Sequence, residues 1–171
     1  MERSPIAAGR FYNDNESELK KEIESFFLHA NSSQKAIAAI TPHAGYIFSG
    51  KLAGETLSSV KIPSTVILLG PNHTGKGHPV AVSANDWKIP LGCVKSNQNL
   101  IEKIVDVIKV AEIDETAHKN EHSLEVLLPI LHVLRDDISI VPITIGPHSY
   151  EQCEQLGSEL ATVISSENED V

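Results

Sequence analysis

Apolar residues recur along this chain at two different spacings. Leu19, Ile23, Phe26 and Phe27 stand at i, i+4, i+7 and i+8, one face of a helix over about 16–29 with Asn13 or Asn15 as its cap. The same reading predicts helices over 49–60, capped by Ser49, and over 97–110, with Leu100, Ile101, Ile104, Val107 and Ile108 along one side. It predicts two more over 121–134, where Pro129 must kink or break the element, and over 150–165. Between them lie short, nearly continuous apolar runs at 36–40, 66–69, 79–83 and 138–145, bounded by proline or glycine, which read as buried strands. Residues 4–12 read as an extended or irregular lead-in.

Strands alternating with helices predict an α/β fold with a parallel or mixed central sheet and helices on both faces. A chain of 171 residues suits one domain over 1–171, and no repeat or low-complexity stretch divides it. The last helix runs into Ser-Ser-Glu-Asn-Glu-Asp-Val, a polar link of the kind that precedes another strand, so the sheet is expected to continue past it.

Composition narrows the partners. A formal charge of −9, from 14 basic and 23 acidic residues, argues against nucleic acid and anionic membrane, both of which demand basic patches. The first residues carry no long apolar run of the signal-peptide kind, and no segment reaches the roughly 18 apolar residues of a membrane span. Two cysteines, Cys93 and Cys153, make no disulfide framework and read as small packing residues, so a cytoplasmic setting is expected.

The candidate chemistry lies in two histidines. His43 and His73 each follow directly on a predicted strand, in Ile-Thr-Pro-His and Gly-Pro-Asn-His, 30 residues apart, the length of one βαβ unit. If those strands are neighbours, their ends lie roughly 5 Å apart, and both imidazoles reach one ion at about 2.1 Å. Open α/β sheets bind ligands beyond the carboxyl ends of their strands. Two histidines are an incomplete site, so a third ligand must come from elsewhere.

Two other motifs point to different chemistry. Gly70 to Gly77 nearly matches a phosphate-binding loop, but Gly77 stands where a magnesium-binding hydroxyl is needed, Pro71 removes an amide, and a strand pattern follows where a helix should start. His118-Lys-Asn-Glu121-His122 matches the HxxEH zinc pattern, with Glu121 as general base. Asn120 as a helix cap would leave His118 outside the helix. His29, His78, His132 and His148 read as structural or exposed, His132 as a hydrogen-bonded core residue.

Taken together, Ser-Pro-Ile-Ala-Ala-Gly-Arg-Phe-Tyr at 4–12, Thr41-Pro-His-Ala-Gly-Tyr-Ile-Phe-Ser-Gly50, Leu68-Leu-Gly-Pro-Asn-His-Thr-Gly75, Trp87-Lys-Ile-Pro-Leu-Gly92, Ala117-His-Lys-Asn-Glu-His-Ser-Leu-Glu-Val-Leu-Leu-Pro-Ile-Leu131 and Ile140-Val-Pro-Ile-Thr-Ile-Gly146 resemble, in this order, the Memo-like family. In prokaryotes that family is also called AmmeMemoRadiSam system protein B. The resemblance runs from about Ser4 to Val171 and implies a fold similar to class III extradiol dioxygenases, with the family's C-terminal part lying beyond this chain. It implies that His43 and His73 are metal ligands, that His122 faces the metal cleft with Glu121 orienting it or lining the cleft, and that His118, Phe11, Tyr12, Tyr46 and Phe48 border the pocket. The family's third ligand, a cysteine where the dioxygenases have a glutamate, matches neither Cys93 nor Cys153.

From this resemblance follow a divalent transition metal, Fe(II) first and copper or zinc as alternatives, and dioxygenase-like redox activity with His122 and Glu121 as the catalytic pair. A non-catalytic cleft that binds a peptide or a small aromatic ligand is the second reading, and an HxxEH zinc peptidase the third. Expected partners are a radical-SAM protein, an AMMECR-type protein or a second copy of the chain.

Overall fold

The structure is a computed structural model that describes residues 1–27, 33–167 and 171. The expected end of the first helix and His29 lie outside these residues. In chain order the elements are β1 (Glu2–Arg3), α1 (Glu16–Phe26), α2 (Tyr46–Ser58), β2 (Thr65–Pro71), β3 (Val80–Val82), β4 (Asp86–Ile89), β5 (Gly92–Ser96), α3 (Gln98–Val107), β6 (Glu112–Ile113), α4 (Glu115–His118), α5 (Leu128–Leu134), β7 (Ser139–Ile145) and α6 (Tyr150–Ser165).

The sheet is mixed and organised around β7. Strand β2 runs parallel to it in register from Thr65 opposite Ser139 to Pro71 opposite Ile145. The other edge of β7 takes β5 in parallel at one end and β3 antiparallel at the other. Alternation along the strands then fills two cores. Leu68 and Ile140 face α1, α2 and α5, whereas Ile67, Val141 and Ile143 face α3 and α6. Helices therefore cover both faces, as the α/β pattern predicts.

Helix ends follow side-chain chemistry. Asn15, Asn97 and Ser149 cap α1, α3 and α6 by accepting backbone N–H bonds, and Ser149 with Gln152 completes a capping box. Helix α2 starts earlier than expected, at Tyr46 after Gly45 rather than at Ser49. Its glycines let it pack tightly on α1. A Cβ on Gly54 would stand 2.4 Å from the Phe26 Cβ, and one on Gly50 2.7 Å from the Phe26 ring. Gly54→Ala should therefore cost about 1–3 kcal/mol, whereas Gly157→Ala, on the exposed face of α6 with nothing within 4 Å, should gain about 0.5–1 kcal/mol. Urea denaturation of the two variants checks this opposition of sign.

Two expected elements differ. The apolar run at 36–40 forms no strand: residues 33–40 are exposed, Ile37 at 105% and Ile40 at 96%, and no described residue bonds the backbone of 36–40. An apolar run becomes a strand only where a neighbour completes the ladder, and β2 does not pair with it. The helix expected over 121–134 is shorter, because Pro129 lies in its first turn, where a missing N–H costs nothing. Residues 119–120 and 123–124 form turns on either side of Glu121 and His122, followed by a 3-10 turn at Glu125–Leu127. No helix among the described residues is long and apolar enough to cross a membrane.

Candidate metal centre

Three histidines meet at the carboxyl end of β2. His73 follows the strand by two residues, His43 precedes α2, and His122 lies in the turns before the 3-10 segment. Ring centres are 5.3 Å apart for His43 and His73, 4.8 Å for His73 and His122, and 6.2 Å for His43 and His122. With bonds of about 2.1 Å, two imidazoles on one tetrahedral ion have ring centres roughly 5 Å apart. The His43 and His73 rings, tilted by 53°, meet that requirement. His73 and His122 are instead stacked, with only 13° between their planes.

Glu121 organises this cluster. Its carboxylate, only 1% exposed, accepts the His73 backbone N–H at 2.6 Å and the N–H groups of His122 and Ser123 at 2.9 Å each, and lies 2.9 Å from His73 Nδ1. Burial raises its pKa, but the His73 side chain and the Ser123 and His73 amides outweigh that, and the group is held at about 2. An ionised carboxylate only accepts, so Nδ1 of His73 carries a proton toward Glu121, which leaves Nε2 as the nitrogen that can ligate a metal. His122 Nδ1 also lies near the same oxygen, at 3.5 Å. The two stacked rings therefore direct their Nε2 atoms the same way, away from Glu121.

Burial pulls the pKa of His43 down, with a further push from His73 and His122, and burial likewise lowers His122. Both are neutral at pH 7, the state that binds a metal. His73, Glu121 and His122 form the one group among the described residues whose ligand atoms all lie within 4.8 Å of one another, so this corner can hold a metal ion. Glu121 already accepts from four groups, three of them at Oε1, which favours it as the orienting partner behind His73.

The other expected site residues divide. Phe11 lies against His122, ring centres 4.4 Å apart, and its carbonyl accepts the Tyr46 N–H. Tyr12 and Tyr46 are core groups rather than cleft groups: their hydroxyls donate to Glu125 and to the Val126 carbonyl, and burial raises both pKa values. Phe48 is exposed on α2. His118 is also a core residue: it is fully buried, its Nε2 donates to the Ala81 carbonyl, and it meets the edge of Trp87. Because α4 ends at His118 and turns follow, His118 and His122 do not share a helical face, and the HxxEH zinc-peptidase arrangement is not formed. The loop after β2 leads into strand β3, as expected of a sequence that is no phosphate loop. His132 differs from its expected pairing, since its buried Nδ1 has no partner among the described residues.

Arg3 and Glu125, which support the site, were missed by the sequence reading. Arg3 donates to the Glu121 and His118 carbonyls and to Glu125, and stacks on Trp87 at 4.0 Å. A signal was present: Glu125 is a carboxylate inside the apolar run of residues 124–131, a place that demands a buried cation.

The sequence model of the Memo-like protein family matches residues 3–171. Among curated proteins the chain is 42% identical over 168 residues to a MEMO1 family protein of Pyrococcus abyssi, covering 92% of this chain and 57% of that relative. It is 36% identical over 189 residues to one of Pyrococcus furiosus, covering 98% and 64%. With one of Archaeoglobus fulgidus the identity is 40% over 160 residues, covering 94% and 60%. The chain thus spans about three fifths of the length of these relatives.

Proposed function

The chain belongs to the Memo-like family, and on that premise we propose that its cleft is a transition-metal site with His43 and His73 as ligands, Glu121 as orienting carboxylate and His122 as the pocket acid–base. The observation that carries this reading is the convergence of His43 and His73 at 5.3 Å, with the Nδ1 of His73 held by an ionised carboxylate. Imidazole donors suit iron, copper and zinc, and Fe(II) is the favoured occupant. A metal held here by His43 and His73 would supply Lewis-acid or redox chemistry to a chelating substrate.

The protein's own groups would do the rest. His122, neutral at pH 7, can take a proton from a bound hydroxyl on Nε2. Phe11 and His73 both pack against that ring. Neither Tyr12 nor Tyr46 donates a proton to substrate, since both hydroxyls are spent in the core. The class of reaction we infer is dioxygenase-like oxidation of a small aromatic substrate.

A peptide-binding cleft is the second reading, favoured by Ile47, Phe48 and Leu52, which α2 exposes just after His43. Metal titration separates the two. The folded protein should bind one equivalent of Fe(II) or Co(II), and the His43→Ala, His73→Ala double variant should bind none. Full binding by the double variant would overturn the metal reading, and peptide capture without metal would replace it with the second.

A further inference from the structure

The loop between β2 and β3 carries His73 on a segment with little packing of its own. The His73 side chain is 45% exposed, and Gly75, Lys76 and Gly77 are exposed as well. Apolar contacts therefore do not fix where the ring stands, and hydrogen bonds must. Both ends of the loop are tied to the body of the protein. At its start the Asn72 N–H donates to the Ile145 carbonyl, and the Ser123 hydroxyl donates to the Pro71 carbonyl. At its finish the His78 N–H donates to the Asp114 carboxylate at 2.6 Å. Gly77, at φ +76°, lies so close to α4 that a Cβ there would stand 2.6 Å from the Ala117 nitrogen.

Between those ties one side chain organises the loop from within. Asn72 Oδ1 accepts from the Thr74 N–H at 3.1 Å, the Thr74 hydroxyl at 2.8 Å and the Gly75 N–H at 3.0 Å, and Asn72 Nδ2 donates to the Lys76 carbonyl at 2.7 Å. The Thr74 hydroxyl in turn accepts the Lys76 N–H at 3.2 Å. Asparagine suits this place because its short amide can bond the backbone just ahead of it. All these partners lie directly after His73, so the Asn72 amide closes a ring of chain around that residue. Both ends of the amide are turned into the loop, so it acts on the cleft through His73.

We propose that Asn72 is the positioning residue of this site: resting on the metal reading, its amide holds the loop in the one conformation that sets the His73 N–H on Glu121 and the His73 ring beside His43 before an ion arrives. The His73 N–H meets Glu121 at 2.6 Å, and the ring centres of His43 and His73 are 5.3 Å apart. Without the amide, residues 73–76 regain backbone freedom that must be given up again whenever an ion binds. Loss of the groups that orient a metal-binding histidine weakens binding about 10–100-fold, and Asn72→Ala belongs in that range. Thr74→Val removes two of the five bonds inside the loop and should weaken binding about threefold. Thr74→Ser keeps the hydroxyl and both of those bonds, so it should bind as the wild type does.

The test titrates Co(II), read by its visible absorption, into the wild type and these three variants, and follows hydrogen exchange of the His73 amide in the metal-free proteins. Expected for Asn72→Ala are Co(II) binding weaker by about tenfold or more, an altered absorption spectrum at saturation, and His73 exchange faster by about tenfold or more. Circular dichroism should be the same for all four proteins, because the bonds lie in a loop. Wild-type affinity and wild-type His73 exchange in Asn72→Ala overturn the proposal. Weaker binding with unchanged exchange also overturns it, since Asn72 would then act on the ion directly. So does a Thr74→Ser variant as weak as Thr74→Val, since the hydroxyl bonds would then not hold the loop. Should Asn72→Ala fail to fold, the two Thr74 variants decide by the same measurements. If the wild type binds no Co(II), the metal reading falls and the His73 amide decides alone: faster exchange in Asn72→Ala supports the loop role, and unchanged exchange overturns it.

Discussion

Glu125→Ala should cost about 3–5 kcal/mol, a large share of the roughly 5–15 kcal/mol that holds a domain of this size together. The carboxylate is fully buried and accepts from four groups: the Arg3 guanidinium at 2.7 Å, the Tyr12 hydroxyl at 2.8 Å, the Ala7 N–H at 2.8 Å and the Ile6 N–H at 3.0 Å. Alanine leaves Arg3 as an uncompensated cation over Trp87 and orphans two amides and a hydroxyl at once. Tyr12→Phe, which removes one of these bonds and keeps the ring, should cost only about 1 kcal/mol. The loss should also reach the cleft. Arg3 Nη2 donates to the Glu121 carbonyl and Arg3 Nε to the His118 carbonyl, so the pair ties the turns carrying Glu121 and His122 to the start of the chain. Guanidinium denaturation of both variants decides the matter. A Glu125→Ala cost below 1 kcal/mol would mean that the network is relaxed or hydrated and does not hold these turns.

The parts of the fold that were legible in the sequence are those governed by local chemistry. The cap at Asn15, the apolar stripe of α3 and the β-branched run of β7 were all written in residue type and spacing. The hairpin of β4 and β5 was not, because Trp87, Lys88 and Ile89 give too short an alternation to register as a strand. The run at 36–40 shows the opposite failure: its composition is that of a strand, but pairing requires an edge that these residues do not supply themselves. For the site, His73 does follow a strand end, that of β2, whereas His43 follows the strandless run at 36–40 and comes within 5.3 Å of His73 from just before α2. Spacing could not tell the fully buried His118 from the cleft-facing His122. That distinction depends on α4 ending at His118, a tertiary outcome set by Ala81 and Trp87.

Within the cleft, substitutions should fall into an order. With His73 as a ligand, as proposed, His73→Ala should abolish metal binding at micromolar concentrations. Glu121→Gln keeps the size of the side chain but turns an acceptor-only group into one that also donates, and it no longer forces the proton onto His73 Nδ1. Loss of an orienting partner of this kind costs 10–100-fold in metal affinity, and that is the expected range. On the same reading His122→Ala, which removes a stacked ring rather than a proposed ligand, should change affinity less than either. The pH dependence carries the same logic. The lowered pKa values of His43 and His122 favour their neutral forms, so affinity should fall on acidification as protons compete for the lone pairs, at a lower pH than ordinary histidines would set. Glu121 makes a separate contribution, to folding. Its folded value of about 2, against an ordinary 4.5, gives stability that is complete above pH 4.5 and disappears as pH falls toward 2. In Glu121→Gln that acid limb should disappear from the stability profile, while the fall of metal affinity on acidification remains. An unchanged acid limb would show that the carboxylate is not held by the His73 and Ser123 donors. A wild-type metal affinity in the same variant would move the orienting role away from Glu121.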